Sequence, residues 1–138
     1  MPDLGSTEMT MLWLSLVLGL LQIVFAASTS TASRGTTWAL GPRDDAGAQM
    51  SKVASRFERA LRNFIETFPL FAAAVLMAAL LNKHGAMSAL GAQLYFWARL
   101  VYVPVYAAGI PIVRTLVWTV SIIGIILVLL TSYPGFPS

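Results

Sequence analysis

The sequence predicts an all-α membrane protein, a bundle of four transmembrane helices, and three observations carry that prediction. The 138 residues are 57% hydrophobic and only 11% charged, too oily for an ordinary soluble domain and too few for two substantial ones. The apolar residues gather into four segments of bilayer-crossing length, about 9–27, 51–81, 87–110 and 112–131, joined by polar or turn-rich stretches. Most of the charge sits in one stretch, SKVASRFERALRNFIETFPL at 51–70, which runs straight into uncharged apolar chain. Residues 1–138 therefore read as a single membrane domain.

Composition also excludes chemistry. The chain has no cysteine, so no disulfide, thiolate metal site or cysteine nucleophile is available, and the lone His84 cannot assemble a metal site by itself. The net charge of +3 suits anchoring at an inner leaflet or a small anionic ligand, and no basic tail or patch points to nucleic acid. Walker, GxGxxG, GxSxG and HExxH patterns are all missing, so nucleotide, serine-hydrolase and zincin chemistries lack their sequence supports.

The first segment, MTMLWLSLVLGLLQIVFAA at 9–27, carries no formal charge and as a helix is about 28 Å long, one hydrocarbon core. Small residues at Ala26, Ala27 and Ser28 also fit a cleaved leader, but Asp3 and Glu8 stand where a basic region belongs, so a retained helix is the expectation. Gln22, its one strongly polar side chain, either bonds a neighbouring helix or is merely tolerated. Residues 28–50, rich in Ser, Thr, Gly, Pro and Asp, predict a polar loop with a turn near GPRDD. Arg34, Arg43, Lys52, Arg56, Arg59 and Arg62 place this loop in the cytoplasm, with both termini on the opposite side if the spans are even in number. Asp44 and Asp45 read as solvated loop charges, since a metal pair would lack a third ligand.

The second segment is amphipathic at its start. At about 100° per residue, Lys52, Ser55, Arg56, Arg59, Arg62, Asn63 and Glu66 share one side, and Phe57, Leu61, Phe64 and Phe68 the other. No charge follows Glu66 within the segment, so the lower edge of the polar face reaches the hydrocarbon boundary, where charge is too costly to face lipid. It should point into a bundle or a subunit contact. Pro69 is expected to bend this helix, and Ala72, Ala73, Ala74, Ala78 and Ala79 to admit a close neighbour. Residues 82–85 make a short turn, and the third segment contains LYFWARLVYVPVYAAG. There Tyr95, Arg99, Tyr102 and Tyr106 follow one another at four, three and four residues and so share a face. A mid-helix arginine among phenols is either a functional group or interhelical glue pairing with Glu66 or backbone carbonyls. Pro111 opens the fourth segment, Arg114 sits at its start, and Trp118 lies about one turn in, as an interface anchor would.

Arg59, Arg62, Asn63 and Glu66 with Arg99, Tyr102, Tyr106 and Arg114 would form a mostly cationic pocket near the cytoplasmic boundary. It suits a small molecule with several carboxylates and one ammonium: arginines clamp carboxylates, and the acid takes the amine. A protomer this small has little interior, so the pocket is expected between protomers of a homo-oligomer.

ERALRNFIETFPLF, followed by ARLVYVPVYAAGIPIVRTLVW, resembles the membrane-associated proteins in eicosanoid and glutathione metabolism, the MAPEG family. The similarity covers about 56–118, and the first helix by position only. It implies a homotrimer of four-helix protomers that binds glutathione as co-substrate between subunits, facing the cytosol. By position, Arg59, Asn63 and Glu66 would hold the peptide's polar groups, Arg62 would support them, Tyr102 and Tyr106 would line the site, and Arg114 matches the arginine that stabilises the thiolate. A lipophilic electrophile would arrive through the bilayer and be conjugated, or a lipid hydroperoxide reduced. Eicosanoid-making members carry an arginine on helix one; residues 9–27 have none, leaving Arg34 or Arg43 in the loop to substitute. The spacing from Tyr106 to Arg114 also varies between branches of the family. The competing expectation is a non-catalytic scaffold whose polar residues only bind protomers together; a transporter is disfavoured because nothing resembles inverted repeats with broken helices.

Overall fold

The computed structural model describes residues 6–45 and 47–137, and among these it is helical with no strand; Asp3 of the acidic leader lies outside them. The elements are α1 (Thr7–Arg34), α2 (Thr36–Leu40), α3 (Lys52–Leu80), α4 (Ala86–Ala108) and α5 (Pro111–Ser132). Ser6 caps α1 by accepting the Met9 N–H at 3.3 Å, and Ser51 caps α3 by accepting that of Ala54 at 3.1 Å. Pro111 occupies the first turn of α5. Both α3 and α4 run unbroken through Pro69 and Pro104.

The loop expected over 28–50 is much shorter than that. Helix α1 continues through the Ser/Thr-rich residues to Arg34 because their hydroxyls find partners along the way: Thr29 Oγ1 donates to the Phe25 carbonyl at 2.8 Å, and Ser33 Oγ donates to Ser51 Oγ at 3.1 Å. Phe25 also stacks on Phe57, with centroids 6.0 Å apart, holding the extension against α3. What stops the helix is Gly35, at φ +92°, a conformation open to glycine and to few other residues. After the single turns of α2, Trp38 pins the remaining loop. Its indole N–H donates to the Asp45 carbonyl at 2.9 Å, and the guanidinium groups of Arg34 and Arg43 lie 4.4 and 5.3 Å from its ring.

Helices α1, α3 and α5 are long and apolar enough to cross a membrane. Helix α4, read from sequence as the third crossing, is 23 residues long but is not among them. Arg99, Gln93 and three tyrosines lower its hydropathy, and most of these polar groups are sheltered by protein: α3 and α4 are the central pair, each touching the other, α1 and α5. Tyr95 and Phe71 stack at 4.0 Å in the core, with Phe64 and Val75 beside them. Helices α4 and α5 meet backbone to backbone at Gly91 and Gly124, where a methyl on either glycine would stand 2.6 or 2.5 Å from the other's carbonyl oxygen. The outer surface is apolar: Leu20, Leu70, Leu80 and Leu116 are each more than 60% exposed, as a hydrocarbon solvent permits.

Candidate functional site

The polar residues meet where the start of α3, the end of α4 and the start of α5 come together. Arg56, Arg59, Asn63 and Thr67 touch Ala107, Tyr106, Arg99 and Tyr95 in turn, so α3 and α4 run antiparallel and their polar faces lie alongside each other. Arg56 Nη1 donates to the Ala107 carbonyl at 3.1 Å, a cation on the negative end of a helix. Gly109 then turns the chain at φ +74°, and a methyl there would stand 2.9 Å from the Arg56 guanidinium. This tight exit brings Arg114, in the first turns of α5, next to the last turns of α4.

Tyr106 is the hub. Its hydroxyl accepts from Arg59 Nε at 3.0 Å, its ring lies 4.9 Å from the Arg114 guanidinium, and it packs on Tyr102 with centroids 5.5 Å apart. Arg59 also donates to Ser55 one turn back on α3. Beneath, Arg99 donates from Nη1 to Asn63 Oδ1 at 2.8 Å and stacks 4.3 Å from the Tyr102 ring. Asn63, Tyr102, Tyr106 and Arg114, with Thr115 and Trp118, line an open cleft of about 280 Å³. Among the described residues, no carboxylate lines it.

Of the residues singled out from sequence, Asn63, Tyr102, Tyr106 and Arg114 share this cleft, and Arg59 reaches it through the Tyr106 hydroxyl. Arg62 and Glu66 do not line it. Arg62 pairs with Glu58 at 3.6 Å on the exposed side of α3, and Glu66 is exposed with no ion pair among the described residues. Arg99 takes Asn63 as its partner, and not the Glu66 or backbone carbonyls that the interhelical-glue alternative named. Tyr95 keeps its place on the shared face against α3 but lies outside the cleft: it is fully buried, with its hydroxyl 3.0 Å from Thr67 Oγ1. Sequence reasoning missed Thr115 and placed Trp118 at an interface. Their signal was spacing, since residues one and four beyond Arg114 fall on its flank of the helix. Arg34 stands in the last turn of α1, yet its guanidinium is engaged with Trp38.

Chemically, the cleft offers a guanidinium, two phenols, a carboxamide and a hydroxyl, with a second guanidinium at its rim, a set suited to holding an anion and stabilising a developing negative charge. No three His, Asp or Glu side chains converge among the described residues. A family model described as MAPEG family matches residues 11–133, and comparison with curated proteins and with solved structures finds no match. That match and the three apolar helices make this an integral membrane protein.

Proposed function

The chain belongs to the MAPEG family, membrane proteins of eicosanoid and glutathione metabolism, and from that premise we propose that it binds glutathione and acts as a glutathione transferase or peroxidase on lipophilic electrophiles. The observation that carries this reading is the convergence of Asn63, Tyr102, Tyr106 and Arg114 on one open cleft with Arg59 bonded at its rim. Arg114 is the catalytic group. Its charge, added to the N-terminal end of the α5 dipole, favours thiolate over thiol, and the thiolate is the nucleophile in both reactions. Arg59 and Asn63 hold the peptide's carboxylates and carbonyls, and Tyr102 and Tyr106 shape the wall.

Glu66 and Arg62 enter through assembly. An unpaired carboxylate at the hydrocarbon boundary is costly beside lipid, and covering this face of α3 with a second copy would set Glu66 to take the ligand's ammonium while Arg62 supports it. The proposed assembly is a homotrimer of four-span protomers, each a single domain, with glutathione between subunits. By the positive-inside rule, the cations from Arg34 to Arg62 support a cytosolic α1–α3 connection and cleft, with both termini across the membrane.

Titration of detergent-purified protein with glutathione should give saturable heat and a rise in thiolate absorbance; no heat at millimolar ligand would remove the proposal. Arg59→Ala should weaken binding. The scaffold alternative holds that the polar residues of α3 only bind protomers together, a use open to the exposed Arg62–Glu58 pair. It requires Arg59→Ala to loosen the oligomer with or without glutathione, so an intact mutant oligomer that has lost its ligand excludes it.

A further inference from the structure

We infer that Arg99 is a positioning residue, one that fixes the Asn63 amide with its NH2 group toward the cleft, so that this corner of the site takes an oxygen acceptor and refuses an ammonium. Asn63 lines the cleft and its Oδ1 accepts from Arg99 Nη1 at 2.8 Å. A guanidinium has only donors, so the amide oxygen is the one atom that can face it. Arg99 itself is 1% exposed and lines no part of the cleft; the rings of Tyr102 and Phe64, 4.3 and 5.8 Å from its guanidinium carbon, hold it in place. Its Nε and Nη2 have no partner among the described residues, so Asn63 Oδ1 is the acceptor it has. Rotating the amide would set donors against donors and strip a buried cation of that acceptor. Two N–H groups are therefore committed to the cleft, where a ligand carboxylate or peptide carbonyl satisfies them. The ammonium must be met elsewhere. That the ligand is glutathione rests on the reading above; the orientation of the amide does not.

Asn63→Asp is the test, because it keeps the shape and the acceptor for Arg99 while replacing the cleft-facing NH2 with an anionic oxygen. The melting temperature in detergent should hold or rise, and glutathione affinity should fall by about 30-fold or more. If the amide oxygen faced the cleft to meet an ammonium, the same change would leave affinity equal or tighter, which would overturn the inference. Arg99→Met should weaken binding by about 10-fold, and Arg99→Lys, which keeps a donor-only group, should recover part of that loss even where both variants melt early. Affinity that simply follows melting temperature across the pair means a structural role alone and also overturns the inference. Should the wild-type protein bind no glutathione, the functional reading has failed, but the amide is still tested by stability: Asn63→Leu should melt below wild type and Asn63→Asp at or above it, and equal melting of the two removes the bond on which the orientation depends.

Discussion

Arg114 and Tyr106 show how much of the site a helical wheel reveals. An arginine at the start of an apolar helix and two tyrosines four residues apart are conspicuous in a membrane segment, because polar groups there need a reason, and these residues do meet. Arg62 and Glu66 were equally conspicuous and lie outside the cleft, since a wheel gives the width of a polar face without saying which flank another helix will cover. Tyr95 stays on the shared face yet is withdrawn from the cleft: its hydroxyl is satisfied by Thr67, a partner on another helix that no local pattern names. At this scale the decisive substitution is Arg114→Ala. If the guanidinium stabilises the thiolate, turnover at neutral pH should fall by about 100-fold, as when one preorganised donor to a developing anion is lost. The thiolate absorbance of bound glutathione should fall with it, and a variant that keeps both would move the catalytic role elsewhere.

At the scale of elements, the helices were legible from apolar runs and caps, while their ends were not. Helix α1 outlasts its apolar stretch because Thr29 and Ser33 satisfy their hydroxyls within the fold, so composition alone ended it too soon, at residue 27. The contact that sets the α4–α5 spacing was also hidden, since Gly91 and Gly124 are distant in sequence and each looks like an ordinary helical glycine. Gly91→Ala should cost about 1–3 kcal/mol, because the added carbon would stand 2.6 Å from a backbone oxygen that can move only with its helix. Gly109→Ala should cost more than about 1 kcal/mol from its positive φ, and should also disturb Arg56. Gly85→Ala, with open space around the new carbon and extended backbone, should change stability by less than about 0.5 kcal/mol. Thermal unfolding of the three variants in one detergent checks the order; a Gly91→Ala protein as stable as Gly85→Ala would show that the two helices are free to separate.

Across the whole molecule the open issue is how α4 lies relative to the bilayer, because its own hydropathy does not demand a crossing. Its partners do. At about 1.5 Å per residue its 23 residues reach about 34 Å, enough for one hydrocarbon core. The Arg56–Ala107 and Thr67–Tyr95 bonds then tie it side by side to α3, which is apolar enough to cross. Arg99 can enter such a span because it is buried against Asn63 and two aromatic rings and does not meet lipid. The absence of cysteine makes a clean topology experiment possible, with single cysteines at Leu40, His84 and Ile110 probed in sealed vesicles by a reagent that cannot cross the membrane. Leu40→Cys and Ile110→Cys should react from one side and His84→Cys from the other. If Ile110→Cys instead shares the side of His84→Cys, α4 turns back within the membrane. Arg114 would then open α5 on the wrong side from Arg59, and the cleft these helix ends build could not exist in the bilayer.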